Sequence, residues 1–234
     1  VRNKIKACEE TGIKSMEYYL PDSVSTDELV ELVKTLNADE SVDGLLVQLP
    51  LPVGVDEKAV LGAVTPEKDV DGFHAVNAGN LLLGNPCLAA CTPSGIMELI
   101  KSTGTTISGK HAVVVGRSNI VGKPIALMLL GENATVTICH SRTQNLASYT
   151  READILVVAI GKKEFITGDM IKQGSIVIDV GMNREDGKLY GDVEYASASE
   201  KAAYITPVPG GVGPMTITML LKNTVKAAYF GKKQ

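Results

Sequence analysis

The chain of 234 residues contains no apolar run long enough to span a bilayer. It has little cysteine. Cys8, Cys87, Cys91 and Cys139 form no Cys-x-x-Cys pair and no His cluster partners them, so free thiols in a reducing compartment are expected and a metal site is not. It lacks an excess of positive charge: the net charge of −4 gives no basic surface for nucleic acid. No internal repeat and no low-complexity segment appears. It also lacks an initiator methionine. Val1-Arg2-Asn3-Lys4 runs at once into a helical pattern, so the encoded N-terminus is expected upstream and no leader peptide can be judged. What is present is ordinary for a soluble enzyme, 44% hydrophobic and 21% charged, with length for one large domain or two small ones.

The most informative stretch is Val113-Val114-Val115-Gly116-Arg117-Ser118-Asn119-Ile120-Val121-Gly122-Lys123-Pro124. Its apolar start suits a strand covered on both faces. Gly116 permits a sharp turn and Gly122 a close helix packing. A helix N-terminus there offers free N–H groups and a positive dipole end to a phosphate. Ser118 stands where G-x-G-x-x-G has its second glycine, so a pyrophosphate is not expected to approach as in ordinary dinucleotide folds. Alone, the segment also fits a plain strand–turn–helix. The next strand ends in Cys139-His140-Ser141-Arg142-Thr143, with no acid to hold a ribose 2′-hydroxyl. Ser141, Arg142 and Arg117 instead suit a 2′-phosphate, which reads as NADP rather than NAD. Arg142 alone also reads as a solvated charge.

The pattern predicts a helix to residue 11, a strand from Met16 to Leu20, and a helix capped by Ser25 and Glu28 through Leu36. A buried strand from Gly44 to Leu49, a short helix from Asp56 to Val64 and a polar loop over 66–73 follow. Thr92-Pro93 opens a helix through Lys101. From Lys110 to Ile205 strands near 112–115, 135–138, 155–159, 176–180 and 204–206 alternate with helices, the pattern of a doubly wound parallel sheet. A last helix covers Met215 to Phe230. Two α/β lobes are expected: residues 1–92 plus 214–234, the final helix returning to the first lobe, and a Rossmann-type lobe over 93–213.

Outside the nucleotide turn, Thr206 to Pro214 packs three glycines and three prolines into nine residues. Such a loop bares backbone to a flat ligand, although a tight interlobe linker reads similarly. Gln48, at the end of the predicted strand, must find a partner. Asp71, before Gly72, could bond a heteroaromatic ring or be a simple turn residue. Lys4 alone reads as a solvated charge.

These strings resemble one family. Val1-Arg2-Asn3-Lys4 with Ala7 and Glu9-Glu10, Leu45 through Pro52, Pro66 through Gly72, Cys91-Thr92-Pro93, Val115 through Ser118 with Val121 through Pro124, and Ile205 through Thr216 are similar to methylenetetrahydrofolate dehydrogenase/methenyltetrahydrofolate cyclohydrolases. They span nearly the whole chain, in order. The resemblance implies oxidation of 5,10-methylenetetrahydrofolate by NADP⁺ and hydrolysis of the methenyl product to 10-formyltetrahydrofolate, in a cleft between the lobes. The first step leaves a cation shared by two nitrogens, so positioning should dominate it. The second needs a proton carrier, and a lysine amine serves if its neutral form is favoured.

Lys4 matches the catalytic lysine of the family's Tyr-x-x-x-Lys motif. The tyrosine would immediately precede Val1, and the family's first strand and helix would precede that. Gln48 would orient the amine and Asp71 would bind the pterin, the three being the catalytic set. Leu49, Pro209, Gly210, Gly211, Val212 and Gly213 would line the folate site with Gln48 and Asp71, and Thr216 would lie near the cofactor–folate junction. Gly116, Arg117, Ser118, Ser141, Arg142 and Met182 would bind NADP. Met182 replaces a usual isoleucine, with its backbone toward the nicotinamide amide. Cys91 lines the cleft in the family, but the chemistry needs no thiol nucleophile. A homodimer, a cytoplasmic location and a role in one-carbon metabolism and purine biosynthesis are implied. Two rivals stand beside this: a scaffold that has lost catalysis, which leaves Lys4, Gln48 and Asp71 together unexplained, and another two-lobed NADP dehydrogenase, which leaves Pro209 to Gly213 unexplained.

Overall fold

The computed structural model describes residues 2–231. Val1 and residues 232–234, at the two ends of the first predicted domain, lie outside the described residues. Two compact units divide the chain, one comprising residues through Cys91 and from Ile217, the other Thr92–Thr216. Among the described residues no helix is long and apolar enough to cross a membrane.

The first unit opens with α1 (Arg2–Glu10) and α2 (Thr26–Ala38). Ser25 Oγ accepts from Glu28 N at 3.2 Å, and Glu28 Oε2 accepts from Ser25 N at 2.8 Å, so the predicted capping box forms. Asp56 caps α3 (Glu57–Ala63) by accepting from Lys58 N and Ala59 N. Leu29 and Val33 of α2 pack on Val60 and Val64, with Leu45, Val47 and Leu51 partly buried against them. Helix α4 (Ala75–Leu83) was not expected. His74, an uncommon cap, accepts from Val76 N through Nδ1, and Gly84 closes the helix in the left-handed region at φ 74°.

Two expected strands are corrected. Met16 to Leu20 is no strand, and its Tyr19 is 81% exposed. Gly44 to Leu49 is not a buried strand either. Among the described residues only Leu45 of this run pairs, with Asp69, through Leu45 N to Lys68 O at 2.7 Å and Val70 N to Leu45 O at 3.4 Å. An apolar run becomes a strand only where a ladder satisfies its backbone, and here one residue finds a partner.

The second unit begins with α5, whose helix spans Cys91–Ser102. Strands β1 (His111–Val115), β2 (Thr135–Cys139), β3 (Ile155–Val158) and β4 (Ile176–Asp179) follow, with α6 (Gly122–Gly131) and α7 (Leu146–Thr150) between them. A hairpin, β5 (Asn183–Glu185) and β6 (Lys188–Tyr190), was missed. Its Asp186-Gly187 turn has φ of 48° and 76°, the mirror-type turn that joins antiparallel strands. Then come α8 (Tyr195–Ser199) and β7 (Tyr204–Ile205).

The main sheet is wholly parallel in the order β2-β1-β3-β4-β7. Ala112, Val114, Ile155, Val157, Ile176 and Ile178 pack under α5 and α6 on one face. Val113, Val115, Leu156, Val158 and Val177 pack with Ile166, Ile171, Val193 and Ala198 on the other. Burial on both faces is why these strands read as unbroken apolar runs. The chain order reverses between β1 and β3, and such a switch opens a ligand crevice at the carboxyl ends of the strands.

The C-terminal helix spans Val212–Gly231, three residues longer at its start than expected, because Pro214 is tolerated in a first turn. From Ile217 on it belongs to the first unit. There Asn223 Nδ2 donates to Val70 O and Ala89 O, both at 2.9 Å.

Candidate active site

In the first unit, α1 carries Lys4, whose Nζ donates to Gln48 Oε1 at 3.3 Å. Gln48 Nε2 donates to Leu49 O at 2.8 Å, which holds the amide with its oxygen toward the amine. Gln48 is exposed rather than buried in a strand, so its partner is recruited at the surface and not enforced by the core. The pair joins residues far apart in sequence with no local signal at either.

Asp71 lies in a turn built by Asp69. The buried Asp69 carboxylate accepts from Gly72 N and Phe73 N at 3.2 Å, from His74 N at 2.8 Å and from Asn77 Nδ2 at 2.9 Å. Gly72 has φ 76°, and a Cβ on it would lie 2.5 Å from Ala90 N, so neither the dihedral nor the space admits a side chain. Burial pushes the Asp71 carboxyl up to about 6, the Lys4 charge opposing and the Asp69 charge adding. Asp71 O accepts from Cys91 N at 3.3 Å. Burial, with the Asp71 carboxylate, pushes the Cys91 thiol up to about 12. That thiol donates to Val70 O at 3.1 Å and stays protonated, which makes it packing and not a nucleophile. Asp69, Asn77 and Asn223 were missed as supports of the site. The Asp-x-x-Gly spacing at Asp69 was the available signal.

In the second unit, the register pairs Val115 with Cys139. Arg117 and Ser141, each two residues further, therefore lie beyond the same sheet edge, next to Arg142. All three are exposed. Gly116 has φ 133°, and a Cβ on it would lie 2.3 Å from Ala159 O, so only glycine turns here. The expected free N–H groups of the helix are a correction. Ser118 Oγ accepts from Val121 N and Gly122 N at 3.2 Å, and Ser118 O accepts from Lys123 N at 3.0 Å. The Ser118 hydroxyl thus takes up the Val121 and Gly122 N–H groups. The edge fits a 2′-phosphorylated nucleotide: two guanidinium groups and a hydroxyl, with no acid from Cys139 to Thr143.

Pro209 and Gly210 are exposed in the loop before the C-terminal helix. Gly211 is buried, and a Cβ on it would lie 2.6 Å from Pro207 O, so its lack of a side chain serves the loop's own packing. Val212 is 5% exposed and packs in the core with Ile96 and Ile125. Gly213 lies in the first turn of the helix and not in a loop. Thr216 Oγ1 and Thr92 Oγ1 are 2.9 Å apart, and Thr216 Oγ1 also donates to Val212 O at 3.3 Å. Met182 is 69% exposed where the chain leaves β4 for β5.

Two family models match the chain: the catalytic domain of tetrahydrofolate dehydrogenase/cyclohydrolase over residues 1–71, and the NAD(P)-binding domain of the same enzymes over residues 90–232. The bifunctional protein FolD of Acetivibrio thermocellus is 62% identical over the whole chain, which covers 82% of that protein. Among solved structures, the bifunctional FolD of Campylobacter jejuni superposes with a TM-score of 0.96 at 52% identity, covering 98% of this chain and 82% of that one. The Trypanosoma brucei methylenetetrahydrofolate dehydrogenase-cyclohydrolase, solved with NADP cofactor and inhibitor, gives a TM-score of 0.95 at 41% identity, covering 100% and 82%.

Proposed function

The chain belongs to the tetrahydrofolate dehydrogenase/cyclohydrolase family, and from that premise we propose how its own residues divide the work. The protein oxidises 5,10-methylenetetrahydrofolate to the methenyl compound with NADP⁺ and hydrolyses that to 10-formyltetrahydrofolate, in one-carbon metabolism. The first unit is the folate-binding part and the second the NADP-binding part.

Bound NADP⁺ supplies the hydride acceptor. Arg117, Ser141 and Arg142 would hold its 2′-phosphate by charge-assisted hydrogen bonds, Gly116 and Ser118 would shape the turn, and the backbone at Met182 would take the nicotinamide end. Loss of hydride from the methylene carbon leaves a cation spread over two nitrogens, so the protein needs no base in this step. It has to orient the folate, and Asp71 does so as a carboxylate receiving pterin N–H groups, with Leu49 beside the ring.

Hydrolysis needs proton transfer. Water adds to the methenyl carbon and its oxygen gives up both protons, one to solvent and the other to the nitrogen whose bond to that carbon breaks. The Lys4 amine carries this proton, and Gln48 aims it. The hydrogen bond from Lys4 to Gln48, beside a buried Asp71 on which the Lys4 charge acts, is the observation that carries the assignment. A homodimer, a cytoplasmic location and supply of formyl groups to purine biosynthesis complete the proposal. The test is direct hydrolysis of methenyltetrahydrofolate by the full-length protein without nucleotide. Hydrolysis by wild type that Lys4→Met abolishes supports the assignment, and equal rates refute it.

A further inference from the structure

Two buried carboxylates in the second unit have no part in the chemistry above. Asp192 is 0% exposed and Asp179 is 4% exposed, and among the described residues neither forms an ion pair. Backbone amides satisfy them instead. Asp192 Oδ2 accepts from Ile160 N at 2.7 Å and Gly161 N at 2.9 Å. Its Oδ1 accepts from Lys162 N and from Asn183 Nδ2, both at 2.9 Å. Three successive amides converging on one group form the kind of concavity that binds an anion, and here the protein fills it with its own carboxylate.

Asp179 repeats the device beneath it. Its Oδ1 accepts from Gly181 N and Asp192 N, and its Oδ2 from Val193 N, all at 2.9 Å. The two act in series: Asp179 holds the backbone of Asp192, and the Asp192 side chain holds residues 160–162. The fit leaves no slack. A Cβ on Gly181 would lie 2.3 Å from Asp192 N, and one on Gly191 would lie 1.8 Å from Asp179 Oδ2.

What the carboxylates hold is at the carboxyl edge of the sheet. Ile160–Lys162 follow β3, beside the switch with β1, and Gly181-Met182-Asn183 follow β4. Met182 is exposed, yet the residues on either side of it are tied, Gly181 by its N–H to Asp179 and Asn183 by its amide to Asp192. An open surface fixed from below is what a flat ring needs for a single docking geometry.

We propose that Asp192, seated on Asp179, is a positioning residue for the nicotinamide end of NADP, fixing the backbone of Ile160–Lys162 and Gly181–Asn183 against which that end of the cofactor lies. The proposal rests on the NADP-dependent reading above. Only an ionised carboxylate offers acceptors on both sides. Asparagine at this position would turn an NH₂ toward two donors, either Ile160 and Gly161 or Lys162 and Asn183.

The test is Asp192→Asn in the full-length protein, read three ways. With methylenetetrahydrofolate, the KM for NADP⁺ should rise and dehydrogenase kcat/KM should fall about ten- to a hundredfold. Inhibition by adenosine 2′,5′-bisphosphate, which carries the 2′-phosphate and no nicotinamide, should stay within about twofold of wild type. Hydrolysis of methenyltetrahydrofolate without nucleotide should also stay within about twofold, a change that general loosening of the fold would not spare. An unchanged KM and kcat overturns the proposal. So does an equal loss of bisphosphate affinity, or an equal loss of hydrolysis. If Asp192→Asn fails to fold, Asn183→Ala removes one donor and should show the same split at about three- to tenfold, its absence again overturning the proposal. A wild-type protein that cannot reduce NADP⁺ with methylenetetrahydrofolate would instead sink the dehydrogenase assignment, which the variant comparison alone does not touch.

Discussion

Asp71→Asn should make the ligand-free protein more stable at neutral pH while disabling folate binding. Burial raises the Asp71 carboxyl from 3.8 to about 6. A group held above its unfolded value binds its proton more tightly in the folded chain, so its contribution to stability is complete below pH 3.8 and is lost as pH rises to about 6. A shift of about two pH units corresponds to about 3 kcal/mol at neutral pH, an upper figure because Asp71 keeps some contact with solvent. Asparagine has no charge to bury and keeps the shape. Urea unfolding of both proteins across pH 3 to 8 gives the difference curve directly. The difference should be flat at the acid end, rise in favour of the variant between about pH 4 and 6, and level off above. Parallel curves for the two proteins would refute the argument, because the carboxylate would then carry no desolvation cost. Folate binding should fall in the same variant, since an amide cannot accept from pterin N–H groups on both of its polar atoms.

Lys4→Met keeps the stem and removes the amine. Methenyl hydrolysis should fall by about 10²–10⁴ while part of the dehydrogenase activity survives, so methenyltetrahydrofolate accumulates in a coupled assay. Gln48→Ala should lower the same step by a smaller factor, since Gln48 orients the amine and moves no proton; a larger loss than in Lys4→Met would reverse the two roles. Arg117→Ala should raise the KM for NADP⁺ about tenfold or more and leave that for NAD⁺ nearly unchanged, and equal losses would remove Arg117 from the 2′-phosphate. Asn223→Ala leaves Val70 O and Ala89 O without their amide donor and should lower the unfolding free energy by about 1–3 kcal/mol in urea titration.

The nucleotide-binding unit was readable because its strands are covered on both faces. Val113–Val115, Ile155–Val158 and Ile176–Ile178 then have to be apolar throughout, and no helix of such short length competes. The same logic misled at Gly44–Leu49, where the apolar run packs on α2 and α3 and, among the described residues, only Leu45 finds a strand-type backbone partner. The hairpin at Asn183–Tyr190 escaped because polar Arg184, Glu185 and Lys188 hide its period, although Asp186-Gly187 announced its turn. Helix α4 escaped because histidine is a rare cap.

At the site, Lys4 and Gln48 carry no local signal, and only the likeness to a family joined them. Ser118 was legible as a missing glycine, but its capping of Val121 and Gly122 depends on hydroxyl geometry that spacing does not express. Asp69, Asp179 and Asp192 were invisible as supports because a carboxylate that gathers backbone amides looks, in sequence, like any loop aspartate.

The central claim is that one protein moves a hydride and then opens the methenyl ring. Methylenetetrahydrofolate deuterated at the methylene carbon, given to the full-length protein with NADP⁺, tests both steps at once. The account predicts one deuterium on the NADPH and the other retained on the formyl group of 10-formyltetrahydrofolate, with NAD⁺ a much poorer acceptor. Formation of 10-formyltetrahydrofolate with no deuterium in the reduced nucleotide, or equal use of NAD⁺, would contradict it.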